Sequence, residues 1–226
     1  MKVKANLKFK VSFCCLLGAA VFSGFSQDFI NLDFESPAWV SDPTVPAPNG
    51  IFISPTIAIP GWTAYVGGNQ VNQIIYNTRP LDAGEVTLQG PGSSTLTPIE
   101  GNYTVELYGS SRFEPQQSAA IGQTGQIPAN AMSLTFWGYS TDVSFGGQAL
   151  SLVLLGTTPN YDIYGADISS FAGKTGQLLF TAQPKNLDII DNIQFSTSPV
   201  PEPNSFGLFA AGCLFVAWRH WRKGLR

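Results

Sequence analysis

Apolar positions follow three patterns along this chain. One unbroken run lies near each terminus, Val11 to Val21 and Ser205 to Trp218. Between them apolar residues recur in short bursts separated by turn formers, and no long stretch has the period of an amphipathic helix. The bursts predict strands at Phe29–Phe34, Trp62–Val66, Gln73–Tyr76, Glu85–Leu88, Tyr103–Leu107, Met132–Ser140, Ala149–Leu155, Gln177–Thr181 and Asp188–Phe195. Turn signals fall between them, at Pro48-Asn-Gly50, Gly67-Gly68, Gly90-Pro-Gly92, Gly146-Gly147 and Thr158-Pro-Asn160. Tyr103, Val105 and Leu107 alternate with Asn102, Thr104 and Glu106, and Leu134 and Phe136 alternate with Ser133 and Thr135. Strands with one buried face at this spacing predict an all-β fold, an antiparallel β-sandwich over residues 27–198. The proline-rich residues 36–60 are expected to form a long loop over it. No internal repeat is visible.

The terminal runs read as targeting segments. Lys2, Lys4, Lys8 and Lys10 precede the first run, and Gly24 and Ser26 place small residues at the −3 and −1 positions of a cleavage site. Residues 1–26 are therefore expected to be a signal peptide, cut by signal peptidase after Ser26. A short N-terminal membrane anchor is the alternative. At the other end Val200-Pro201-Glu202-Pro203 precedes the apolar run, and Arg219, Arg222, Lys223 and Arg226 follow it. Fourteen apolar residues make about 21 Å of helix, short against a hydrocarbon core of about 30 Å. Trp218 and Trp221 at the interface and snorkelling arginines recover part of the difference. The basic tail is expected in the cytoplasm and the rest outside.

This order of motif, span and basic tail over residues 199–226 resembles the PEP-CTERM family of sorting signals. The resemblance implies recognition by an exosortase, cleavage near Pro201-Glu202-Pro203, and passage from an inner-membrane precursor to the outer surface or extracellular matrix of a Gram-negative bacterium that makes exopolysaccharide. An ordinary tail anchor behind a proline-rich linker is the alternative.

Charge sharpens the contrast between ends and middle. Residues 27–198 carry four Lys and Arg against fourteen Asp and Glu, although the whole chain is only at −3. An acidic surface without a basic stripe argues against a nucleic-acid partner. Cys14, Cys15 and Cys213 lie in the terminal runs and His220 in the tail, so the middle holds neither residue type. That removes disulfides, the usual zinc sites, Ser-His-Asp triads and Cys-His pairs.

Five segments of the middle carry a second resemblance: Asn31-Leu-Asp-Phe-Glu35, Gly61-Trp62, Pro98-Ile-Glu-Gly-Asn-Tyr-Thr-Val-Glu-Leu107, Ser169-Ser-Phe-Ala-Gly-Lys174 and Leu187-Asp-Ile-Ile-Asp-Asn-Ile-Gln-Phe195. Together they resemble the galactose-binding-like jelly roll of many carbohydrate-binding modules. The resemblance implies a structural Ca²⁺ where the first and last strands meet, with Asp33 or Glu35 and Asp191 as ligands; the alternative is that Glu35 and Asp191 satisfy loop backbone groups. Trp39, Trp62, Tyr65, Trp137 and Tyr139 are the candidate stacking platforms for sugar rings, set against roles in the core. Glu100 and Glu106 stand about 20 Å apart on an extended strand, too far for a glycosidase pair. Gly173-Lys174-Thr175 resembles the end of a phosphate loop, but Ile168 occupies the place of the required glycine. The chain is thus expected to be a non-enzymatic, exported protein that is structural or associated with exopolysaccharide. A structural or adhesion module without a sugar ligand competes with it, and a glycoside hydrolase stands third.

Overall fold

The computed structural model describes residues 28–38, 50–79, 83–110, 115–139 and 141–200. The expected signal peptide, Trp39 and the chain from Pro201 onward lie outside these residues.

Two sheets face each other. The larger orders its strands β1 (Phe52–Ile53), β4 (Ile74–Tyr76), β5 (Glu85–Gln89), β6 (Thr104–Tyr108), β14 (Leu187–Ser196), β8 (Ser133–Gly138), β12 (Asp162–Asp167) and β11 (Leu152–Thr157), numbered along the chain. The smaller runs β10 (Gln148–Ala149), β9 (Asp142–Phe145), β13 (Thr175–Ala182), β7 (Ala119–Gln126), β2 (Thr63–Val66) and β3 (Asn69–Val71). Every named pairing is antiparallel except β4 with β5. Among the described residues helix is confined to Pro55–Ala58 and a 3-10 turn at Ser169–Phe171, and none is long and apolar enough to cross a membrane. The expected span at 205–218 lies outside the described residues.

Alternation places Leu88, Val105, Leu107 and Ile190 of the larger sheet against Ala64, Ile121, Leu178 and Phe180 of the smaller. Four aromatic rings join the layers: Phe34 to Trp62 at 5.6 Å, Trp62 to Phe180 at 6.1 Å and Phe180 edge-on to Phe136 at 5.3 Å between centroids. Burying each ring fully contributes on the order of 2–3 kcal/mol, so this column is a principal bond between the sheets. Gly138 is required where β8 meets β14, because a Cβ there would stand 1.8 Å from the Ile189 carbonyl.

The structure corrects the sequence reading in four places. Phe29–Phe34 is not a strand, since Asn31 and Phe34 adopt left-handed backbone at φ 50° and 58°. The segment instead plugs one end of the sandwich. Gln123 accepts from Ile30 N–H (2.7 Å) and donates to its carbonyl (2.9 Å), and Gly125 leaves room for the Phe29 ring. Ala149–Leu155 divides into β10 and β11, and the expected loop at 36–60 contains β1 and the short helix. The polar face of β6 is not solvated: Thr104 and Glu106 are buried, Arg79 pairs with Glu106, and Gln89 donates to it at 2.7 Å.

Two carboxylates fasten the loop that leads into β6. Glu35 Oε1 accepts from the backbone N–H groups of Asn102 and Tyr103, each at 2.7 Å. Asp191 Oδ2 accepts from Glu100 N–H (3.2 Å) and the Thr104 hydroxyl (2.5 Å), while its Oδ1 takes Asn192 N–H (2.8 Å). The clamp ties the first described segment to the last strand through residues 100–104.

Charge is also carried into the interior. Burial pushes the carboxyls of Glu85, Asp188 and Asp191 up to about 7. Asp142 repels Asp188 and adds to its rise, whereas the hydrogen bonds from Thr104, Asn192 and Glu100 only partly oppose the burial of Asp191. Folded protein holds these protons over a range, about pH 4 to 7, in which the unfolded chain has lost them. Their contribution to stability is therefore complete below that range and is lost as pH rises through 7. Asp167, lowered by its hydrogen bonds to Ser169, acts in the opposite sense but sits at the surface.

Two outcomes follow. Thermal melting at pH 5 and pH 8 should give the higher midpoint at pH 5, and Asp188→Asn should shrink the difference; an equal or higher midpoint at pH 8 would contradict the burial of these carboxyls. Glu35→Ala should cost about 1–2 kcal/mol in urea unfolding, because it strands two backbone donors at the clamp; an unchanged midpoint would mean that water replaces the carboxylate without loss.

Candidate functional site

The acidic residues expected to hold calcium are all placed. Glu35 and Asp191 both reach the loop at 100–104, and Asp33 stays local, accepting Glu35 N–H at 3.2 Å. Four backbone N–H groups and one hydroxyl donate to the two clamp carboxylates. A Ca²⁺ ion needs six to eight oxygens directed inward, and N–H donors occupy the same lone pairs. Among the described residues no group of three Asp, Glu, His or Cys side chains converges as a metal site. The residues as arranged fit a loop clamp and do not fit a calcium cage.

The aromatic candidates separate by face. Trp62 is 3% exposed, and its indole N–H donates to the Asn31 carbonyl at 2.9 Å, so its ring belongs to the core. Tyr65 lies on the outer face of the smaller sheet, where its hydroxyl accepts from Gln177 at 3.0 Å. Trp137 and Tyr139 come together on the outer face of the larger sheet, opposite the buried Phe136. Trp137 stacks on Tyr161 with centroids 4.9 Å apart and planes at 12°. Tyr139 is 39% exposed, and its hydroxyl is held by the Asn160 carbonyl at 2.8 Å. These three rings form an ordered, partly exposed strip. Trp39 lies outside the described residues.

Sequence reasoning missed Tyr161, because its contact with Trp137 depends on the pairing of β12 with β8, in which Trp137 stands opposite Ile163, two residues beyond Tyr161. The Thr158-Pro-Asn160 turn before it is the one local signal. Glu106 is fully engaged by Arg79 and Gln89.

Two concavities open where the sheets part. One, of about 570 Å³, is lined by the exposed Phe52 and by Asn72, Gln73 and Glu85 over Val66 and Val71. The other, of about 650 Å³, lies between the β9–β10 edge and β11–β12, with Thr141, Asp142, Tyr164 and Gln183 among its walls. Neither was visible in the sequence, because each assembles residues from four or more strands and turns.

Comparison with solved structures finds only distant likeness. A Family 11 carbohydrate-binding module from Clostridium thermocellum, in complex with a beta-1,3-1,4-mixed-linked tetrasaccharide, is similar at 9% identity and TM-score 0.35, over 69% of this chain and 100% of that one. The Family 11 module of a cellulosomal cellulase from the same organism gives 9% and 0.35 over 70% and 100%. The enzymatically active domain of bacteriophage CBA120 tailspike protein 4 gives 16% and 0.35, over 69% of this chain and 22% of that one. Likeness at this distance does not bear on ligand or activity. No curated protein matches the chain. Residues 199–223 match the family described as the PEP-CTERM protein-sorting motif. The chain therefore carries a PEP-CTERM sorting signal directly behind its β-sandwich.

Proposed function

We propose that this protein is an exported, non-enzymatic surface or matrix component, processed by an exosortase and associated with exopolysaccharide. The sorting motif supports export and processing. The observation that carries the sugar reading is the strip of Trp137, Tyr139 and Tyr161. Hexose rings present C–H faces that pack on aromatic rings, and hydroxyl edges that stay in water. A strip already held in place, by the Trp137–Tyr161 stack and the Tyr139–Asn160 hydrogen bond, gives up little side-chain entropy on binding. The outer face of a sheet also suits a long polymer, because nothing closes over its ends.

The acidic surface decides which polymers fit. With a formal charge near −10 over residues 27–198, from four basic and fourteen acidic residues, a polyanion is repelled and a neutral or cationic glycan is favoured. A structural or adhesion role without sugar would leave the strip as a protein contact.

Affinity electrophoresis in gels cast with neutral polysaccharides tests the proposal. Wild type should be retarded by at least one of them, and Tyr139→Ala or Tyr161→Ala should weaken retention about threefold to tenfold, the size of one aromatic stack. Trp39→Ala, tested beside them, asks whether that ring belongs to the same surface. Equal mobility of wild type in every gel would sink the sugar reading and favour adhesion.

A further inference from the structure

We infer that the cleft between the β9–β10 edge and β11–β12 is a second binding site, shaped for an amino sugar, a ligand that carries an ammonium among hydroxyls. It uses residues separate from the aromatic strip and stands or falls independently of it.

The starting point is Asp188. Its register partner on β6 is Leu107, a core residue, so the Asp188 side chain points between the sheets. It is 3% exposed, and its Oδ2 is the one buried side-chain polar atom among the described residues with no hydrogen-bond partner. Leaving such an atom unpaired costs on the order of 1–3 kcal/mol, more when it is charged. No basic side chain among the described residues recovers that cost. Arg79 is taken by Glu106, Lys174 lies over the Phe171 ring at 5.7 Å, and Lys185 makes no ion pair among the described residues.

The surroundings of Asp188 are the walls of the cleft. Thr141, whose hydroxyl donates to the Tyr139 carbonyl, lines it, and so do Tyr164 and Asp142, both of which feel the Asp188 charge. Asp142 keeps one oxygen for Gln183, which donates at 2.8 Å, and Asp162 adds a third carboxylate, held by the Tyr164 hydroxyl at 3.2 Å. Asp142 lines a cavity of about 650 Å³, Asp188 and Asp162 stand beside its walls, and no basic side chain is among its described lining residues.

Charge and size select the ligand. A bare metal ion is disfavoured, because no three of these carboxylates converge and the space far exceeds one ion. A neutral sugar would satisfy Gln183, Thr181 and Ser144 but leave the Asp142–Asp188 repulsion in place. An ammonium has three donors and no acceptor, so it matches an acceptor-rich corner. It would sit against Asp142, and its positive charge would draw the proton off Asp188, which then stands behind as the buried counter-charge. The sugar hydroxyls would face the remaining polar walls, and the ring would rest on Leu150 and Leu152.

Calorimetric titration of the full-length protein with a glucosamine trisaccharide and with its fully N-acetylated form provides the test. The two probes share size and most hydroxyls and differ in charge. The free amine form should bind at least about tenfold more tightly, and Asp142→Asn and Asp188→Asn should each remove about that factor. Asp167→Asn, a surface carboxylate away from the cleft, should leave binding unchanged. Gln183→Ala serves if Asp188→Asn fails to fold, and should weaken binding as well. Equal binding of both probes, binding of neither, or an equal loss with Asp167→Asn would each overturn the inference. Loss of binding here with the Tyr139 variants still altered in neutral gels would separate this failure from that of the aromatic strip.

Discussion

The rest of the structure depends on the grip of two carboxylates on one loop. Glu35 belongs to the first described segment and Asp191 to the last strand, and both hold the backbone of residues 100–104. β6, which follows that loop, lies between β5 and β14 near the middle of the larger sheet. The grip therefore fixes both ends of the folded region against its centre. Beyond Asp191 the chain stays attached, with the Ser133 hydroxyl donating to the Ser198 carbonyl at 2.7 Å and Val200 packed against the position of Gly165. The sorting-motif match begins at residue 199, within this attached segment. A cut on its far side would leave every contact described here intact.

The interior combines a dry aromatic column with a charged rim. Phe34, Trp62, Phe136 and Phe180 bind the sheets together through dispersion and loss of water. Glu85 and Asp188 stand where the sheets part, and burial raises both. Such carboxyls weaken the fold near neutral pH and make its two open edges the chemically distinctive places. The outer faces differ again. That of β5 and β6 is sealed by Arg79, Gln89 and Glu106, whereas that of β8 and β12 presents Trp137, Tyr139 and Tyr161.

What was legible in the sequence was local. Alternation located β6 and β8, and the sorting motif was plain from its order of Pro-Glu-Pro, apolar run and basic tail. Ala119–Gln126 escaped because it reads Ala-Ala-Ile-Gly-Gln-Thr-Gly-Gln, with little β-branched character, although it lies inside the smaller sheet between β13 and β2. Its glycines follow from tertiary demands, the Phe29 ring over Gly125 among them. Phe29–Phe34 misled in the opposite sense, since its apolar residues plug the sandwich from left-handed turns. Of the proposed aromatic platforms, Trp62 was lost to the core because its indole N–H finds a buried carbonyl, and Tyr161 was gained through a pairing that no local pattern announces. Asp188 looked like any acidic residue in an apolar strand until its register placed it inside.

The central claim is that one folded acidic domain is delivered to the surface by a signal that it sheds. Intact mass measurement of the protein recovered from the outside of cells that contain an exosortase tests this most directly. The account predicts a species beginning near Gln27 and lacking the apolar run and basic tail beyond Pro201-Glu202-Pro203, with the tail retained when the exosortase is deleted. A surface species that keeps residues 204–226 in exosortase-containing cells would contradict it.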